Sequence, residues 1–194
     1  VTDDLIVNFN PDGIILSGGP ETVTAVDTLA APDAVFSVGC PVLGICYGMQ
    51  TMAKQLGGQV QTSTKREFGY AKLRVENDQG LFKDIEDDNV DGQANLDVWM
   101  SHGDKVVDLP EGFCITASTD SAPIAAMADF NRRFYALQFH PEVTHTKQGL
   151  RMLSRFIHDI CGCDSLWTPA NIVNEAVASI QKQVGDDNVL VALS

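Results

Sequence analysis

The stretch "VLGICYGMQTMAKQLGG", residues 42–58, sets Cys46 between Gly44 and Gly48, where an apolar run gives way to a helical pattern. Met49, Met52, Ala53 and Leu56 recur at helical spacing, and the pattern stops at Gly57-Gly58, as helix C-termini often do. A strand that turns this sharply into a helix admits two readings of its cysteine. Most free cysteines are small buried hydrophobes. Yet G-x-C-x-G is also the cysteine form of a nucleophile elbow, whose strained turn tolerates only small flanking residues. On that reading the thiol sits at a helix N-terminus, where the dipole is expected to lower its pKa. The pentapeptide alone leaves both open.

Working outward, "PDGIILSGGP" predicts a short buried strand over 13–16 that runs into a Gly-Gly-Pro loop. "APDAVFSVGCPVLGIC" predicts a helical segment, a turn at Gly39 and a strand over 41–45. Alternation of strand and helix is the signature of a parallel α/β sheet. In the middle, "FGYAKLRVEND", "LDVWMSHGDKV" and "FCITASTD" predict shorter strands with some antiparallel pairing. "IAAMADFNRRFYALQFHPE" predicts a hairpin with strands over 124–128 and 133–139 and a turn around Asn131. "KQGLRMLSRFIHDIC" places Leu150, Leu153, Phe156, Ile157 and Ile160 on one helical face. Composition changes after Gly162, which predicts one domain over 1–163 and the start of another over 164–194. There Thr168 is an N-cap candidate and Pro169 a first helical residue. They precede a stripe of Ile172, Val173, Ala176, Val177, Ile180 and Val184. "DDNVLVALS" then begins a strand, so the chain reads as cut at that end.

Thirteen Lys and Arg against 26 Asp and Glu leave a formal charge of −13, which repels a nucleic-acid backbone or an anionic membrane. Small anionic ligands need only local dipoles and are not excluded. No apolar run approaches the roughly 20 residues that span a bilayer. "VTDDLIVNFN" has neither a basic n-region nor an apolar h-region. The five cysteines (Cys40, Cys46, Cys114, Cys161, Cys163) are odd in number and form no CxxC pair, so reduced thiols in a cytoplasmic protein are expected. "CGC" at 161–163 lacks the further ligands of a metal site, and no metal is expected.

A cysteine nucleophile needs a base and a group to orient it, and the chain has four histidines. His158 lies in a helical pattern and reads as a surface residue; His145 lies in a polar loop; His102, in "MSHGD", is expected at a strand end where it can line a pocket. His140 differs. "YALQFHPE" ends a strong strand in His-Pro-Glu, and residues two apart on an extended chain point the same way. Glu142 can then hold one imidazole nitrogen while the other faces a thiol. A solvated glutamate beside a capping histidine is the plainer reading of that tripeptide. "LSGGPE", residues 16–21, is either a tight turn or a loop whose N–H groups face a developing oxyanion. All three features fall at the C-terminal ends of predicted parallel strands, where open α/β sheets bind ligands.

Taken together, "SGGPE", "GICYGMQ" and "QFHPE" resemble the signature blocks of class I, triad-type glutamine amidotransferases. The resemblance implies a flavodoxin-like α/β fold with a mostly parallel central sheet flanked by helices. It implies that Cys46 attacks the side-chain amide of L-glutamine, giving a γ-glutamyl thioester and ammonia. His140 would be base and then acid, oriented by Glu142, with the backbone N–H groups of Gly19 and Tyr47 as oxyanion hole. Gln50 and the "SHGD" residues Ser101, His102 and Asp104 would hold the glutamine, Asp104 facing its α-ammonium. "REFGY", "DVWMSHGDKV", "HPEVTHT" and "LWTPANI" are similar to blocks of one branch of the class. In that branch the ammonia feeds an ATP-pyrophosphatase synthetase domain that aminates XMP in purine biosynthesis. This implies a ligase, L-glutamine as substrate and a homodimer. It puts XMP, ATP and Mg2+ in the synthetase domain and no cofactor in the amidotransferase domain.

The departures carry expectations too. Such domains open with a strand and helix bearing a "DFGSQ"-like stretch, and nothing from "VTDDLIVNFNPDG" onward matches it, so one strand–helix unit is expected to be missing. "NVLVALS" resembles the strand before an SGGxDS pyrophosphate loop, of which only Ser194 is present. ATP binding is therefore not expected of these residues, and the isolated stretch is expected to be a weak or inactive glutaminase. Three other readings remain: an amidotransferase of the anthranilate or carbamoyl-phosphate type, a γ-glutamyl hydrolase, or an inert regulatory module of the same fold. "HPEVTHT" and "LWTPANI" do not suit the first, the extension from Thr168 does not suit the second, and an inert module has no need of Cys46, His140 and Glu142 together.

Overall fold

Three short apolar runs, "IIL", "VLGI" and "FYAL", form the part of the sheet on which the site depends. In the computed structural model, which describes residues 1–25, 28–165 and 169–185, the chain divides into a unit over 1–162 and another over 163–194. The first unit runs α1 (Asp3–Phe9), β1 (Ile14–Leu16), α2 (Ala34–Ser37), β2 (Val42–Ile45), α3 (Tyr47–Gln55) and β3 (Gln59–Val75). It continues with β4 (Asp88–Val90), β5 (Gln93–Asp108), β6 (Cys114–Ser118), β7 (Ala126–Asp129), β8 (Phe134–Leu137) and α4 (Gly149–Ser154).

The strands make one sheet in the order β1-β2-β8-β7-β6-β3-β5-β4. β1, β2 and β8 are parallel and in register, Leu16 opposite Gly44 and Ile45 opposite Leu137. From β8 onward every ladder is antiparallel, so parallel pairing is confined to the three strands that lead into the candidate site. Short connections explain this, because a tight turn can join only antiparallel strands. Between β7 and β8 that turn is closed by Asp129, whose Oδ1 accepts the N–H groups of Asn131 (2.9 Å) and Arg132 (3.0 Å). Alternation along β2 sends Val42 to one face of the sheet, with Met49, Met52 and Phe134, and Leu43 and Ile45 to the other, with Leu137 and Phe156.

Two expectations need correction. The middle strands are not short: β3 has 17 residues and β5 has 16. Polar residues 59–67, which show no apolar alternation, join β3 through pairing with the far end of β5. The predicted helical face after Gln148 also changes. Met152 and Phe156 are buried, whereas Leu150 is 80% and Ile157 37% exposed. After Ser154 the helix widens into π-type turns over Arg155–Ile160, which rotates the later positions off the 3.6-residue stripe.

The second unit contains α5 (Pro169–Val184), and Val173, Val177 and Ile180 of its apolar stripe are exposed. Thr168 and the predicted strand within 186–194 lie outside the described residues. No described helix is long and apolar enough to cross a membrane.

Candidate active site

Because β1, β2 and β8 run parallel, their C-terminal ends open on one edge of the sheet. Ser17–Gly19, Cys46 and Gln138–His140 follow directly from those ends.

Cys46 is the N-cap of α3 and has φ 50° and ψ −104°, a left-handed conformation that a non-glycine residue rarely adopts. Two backbone bonds hold it there: its N–H donates to the Leu137 carbonyl (2.7 Å) and its carbonyl accepts from Gln50 N–H (3.1 Å). Both flanking glycines are required by contact. A Cβ on Gly44 would lie 2.8 Å from the Gly48 and Met49 backbone, and one on Gly48 only 2.1 Å from the Leu16 carbonyl oxygen. The strained turn is thus wedged between β1, β2 and the first turn of α3.

The Cys46 side chain is buried; its S–H donates to the Ser101 carbonyl (3.5 Å) and its sulfur accepts from Gln138 Nε2 (3.8 Å). Burial pushes the thiol up to about 11. The Tyr47 backbone N–H pulls it down, the Glu142 and Asp104 carboxylates push it up, and the Gln138 amide lowers it slightly. The expected lowering by the helix N-terminus is therefore corrected. The N–H of Tyr47 does act on the sulfur, but desolvation outweighs it. Alkylation of Cys46 by iodoacetamide is accordingly expected to rise with pH toward a midpoint near 11. A midpoint below 8, read by mass spectrometry of the Cys46 peptide, contradicts this assignment.

His140 Nδ1 lies 2.6 Å from Glu142 Oε1, so residues two apart do face the same way across Pro141. A carboxylate can only accept, which puts the proton on Nδ1 and leaves Nε2 with a free lone pair. Nε2 is buried and has no hydrogen-bond partner among the described residues. Gly18 brings the two halves together: a Cβ there would lie 2.9 Å from His140 Cε1 and 3.6 Å from Cys46 Cβ. Imidazole and nucleophile thus flank a gap that only glycine leaves open.

Beside them lies a cleft of about 550 Å³. Six of the nine predicted site residues line it: Gly19, Cys46, Gln50, Ser101, His102 and Asp104. Glu21 and Asp104 face it, and no Lys or Arg does among the residues whose side chains are described, so that lining favours a ligand with a positive group. Asp104 is buried and accepts a hydrogen bond from Thr22 on the loop after β1. Tyr47 sends its phenol away to the Leu29 carbonyl (2.8 Å), leaving only its backbone at the site. His102 lies inside β5 rather than at a strand end, and it is buried. Gln50 lines the cleft too. Its Nε2 donates to the Asp104 carbonyl (2.9 Å) and toward Gln138 Oε1 (3.4 Å), so that amide nitrogen braces the cleft wall.

Sequence reasoning passed over Gly18 and Gln138. The signal for Gln138 was available: it lies two residues before His140 on the same strand and so faces the same side. Gly18 had no signal of its own, because which glycine of a Gly-Gly pair meets the histidine depends on the loop's course.

A cysteine on a strand–helix elbow and a histidine–carboxylate pair, both at the ends of parallel strands, place the chain among open α/β proteins with the site at one sheet edge. The match to known families is then specific. The chain belongs to the class I glutamine amidotransferase family, whose model matches residues 2–160. It is 58% identical over 195 residues to the GMP synthase [glutamine-hydrolyzing] of Yersinia enterocolitica and 62% identical over 193 residues to that of Marinomonas sp. strain MWYL1. These matches cover 100% and 99% of this chain, which spans 37% of the length of either relative. Among solved structures, a candidate GMP synthase component from Thermoplasma acidophilum superposes with TM-score 0.65 at 29% identity. That match covers 94% of this chain and 83% of the other. A glutamine amidotransferase of Methylobacillus flagellatus shares the fold, with TM-score 0.55 at 17% identity over 88% of this chain and 72% of its own.

Proposed function

We propose that this chain is the glutaminase half of a glutamine-hydrolysing GMP synthase. The observation that carries the reading is the shared contact of Cys46 and His140 with Gly18, with His140 tied to Glu142. As Cys46 Sγ attacks the side-chain carbonyl carbon of L-glutamine, its proton passes to His140 Nε2. The backbone N–H groups of Gly19 and Tyr47 receive the oxyanion. His140 then protonates the departing nitrogen, ammonia leaves, and a γ-glutamyl thioester remains. Water, deprotonated by His140, cleaves the thioester to glutamate and restores the thiol. Asp104 and the acidic lining hold the α-ammonium, with Ser101, His102 and Gln50 shaping the wall of the cleft.

Ammonia is consumed by a synthetase domain that uses ATP and Mg2+ to aminate XMP. The resemblance to this branch of the family supports placing these cofactors there, and the carboxylates Glu21 and Asp104 that line the cleft do not favour a phosphate. On this reading residues 164–194 begin that domain, the enzyme is a homodimer, and it works in the cytoplasm. The test uses the full-length protein with XMP, ATP and Mg2+. L-glutamine is expected to yield glutamate and GMP in equal amounts, and acid quenching to trap a γ-glutamyl adduct on Cys46. Synthesis of GMP from free ammonia without any glutamate release from glutamine overturns the proposal.

A further inference from the structure

Between Thr62, which pairs with Asp104, and Glu67, which pairs with His102, the β3–β5 ladder slips, so residues 63–66 of β3 are set against Gly103 alone. A bulge of this kind re-aims side chains and leaves its strand locally without a continuous ladder. It falls on the segment Ser101–Asp104, which forms one wall of the cleft.

Glu67 is the direct cross-strand partner of His102, and its Oε2 lies 3.2 Å from His102 Nε2. Both atoms are buried, and neither has a hydrogen-bond partner among the described residues, so the close charge contact is what each has. The other carboxylate oxygen of Glu67 accepts from the Ser121 hydroxyl. On the far side of the ring, His102 Nδ1 lies 3.0 Å from the Asp104 carbonyl, which can only accept, so Nδ1 carries a proton. The carboxylate and the ring are thus held face to face in a buried position. Burial holds the His102 pKa below its ordinary value, and the Glu67 charge offsets this only in part.

We propose that Glu67 is a positioning residue for the glutamine cleft: it clamps the His102 ring, and through it the Ser101–Asp104 wall, in the shape that accepts substrate. The inference rests on the glutamine reading above. The same wall supplies the Ser101 carbonyl that takes the Cys46 S–H and the Asp104 carbonyl that takes Gln50, so its shape governs both ends of the cleft. Glu67 is not among the described residues that line the cleft.

The test separates binding from thiol chemistry in the full-length protein. The probe is the chloroketone analogue of L-glutamine, which forms a C–S bond to Cys46 as chloride and the thiol proton leave. Saturation of its rate gives an apparent KI, and iodoacetamide reports the thiol alone. Glu67→Ala is expected to raise that KI about tenfold while iodoacetamide reactivity stays within about twofold. Glu67→Gln, whose amide N–H can donate to His102 Nε2, is expected to restore KI to within about threefold of the parent. Ser121→Ala, which only loosens the carboxylate, is a milder variant should Glu67→Ala fail to fold, with an expected rise of about threefold. A KI in Glu67→Ala within about twofold of the parent overturns the inference. So does an equal loss of both reactivities, which marks general collapse. If L-glutamine fails to protect Cys46 in the parent protein, the glutamine reading falls and this inference with it. Protection in the parent with an unchanged KI in the variant overturns this inference alone.

Discussion

Cys46→Ala is expected to abolish glutamate release, and His140→Asn to lower it by about 10³-fold or more, with the double variant no slower than Cys46→Ala. The size of the His140 effect follows from the state of the thiol. With its pKa pushed up to about 11, Cys46 is protonated at neutral pH and has no standing thiolate to attack with. The proton must leave as the C–S bond forms, and the buried lone pair on His140 Nε2 is the acceptor the site provides. Asparagine keeps the volume near Gly18 but supplies no base. The measurement is glutamate release by the full-length enzyme, with ammonia-dependent GMP synthesis as the control. That control is expected to be unchanged, since the proposed function places ATP and XMP in the synthetase domain. Turnover in His140→Asn within tenfold of the parent would place proton transfer elsewhere.

What the sequence made legible was whatever depended on a few consecutive residues. "VLGI" and "YAL" read as strands because a strand buried on both faces is a continuous apolar run, whereas "IIL", expected to be buried, lies at the sheet edge with Ile15 exposed. The elbow and the His-Pro-Glu tripeptide read as chemistry because each compresses its geometry into five residues or fewer. The long β3–β5 ribbon was not legible, because residues 59–67 are recruited by a partner some forty positions away, not by their own pattern. The Cys46 pKa was misjudged for a related reason. The helix N-terminus is visible in sequence, whereas the burial that outweighs it depends on β5 and β8 closing over the sulfur. Gln50 shows the same limit. Its place one turn past the nucleophile aims it at the cleft, but its nitrogen is taken by the Asp104 carbonyl of a distant strand. Glu67 matters only because a bulge brings it opposite His102.

Gly48→Ala is expected to cost about 3 kcal/mol of stability, at the upper end of what forcing extra volume into a packed interior costs. The added methyl would lie 2.1 Å from the Leu16 carbonyl oxygen and 2.7 Å from its carbon and Cβ. These are mostly backbone atoms of β1, held in the parallel ladder to β2, so no side-chain rotation relieves the clash. Either α3 lifts from the sheet or β1 moves outward, and both motions undo the turn that holds Cys46 at φ 50°. For a domain of this size the thermal midpoint is expected to fall by roughly 6–12 °C. Gly19→Ala is the matched control. Its Cβ would meet only the Tyr47 side chain at 3.7 Å, an ordinary contact, and its midpoint is expected to stay within about 2 °C of the parent. Circular dichroism melts of the two variants decide the matter. Equal midpoints would mean that β1 yields freely and that the second glycine of the elbow is not there for packing. A large loss in Gly48→Ala alone makes contact with Leu16 the reason a strained cysteine can be held between a strand and a helix.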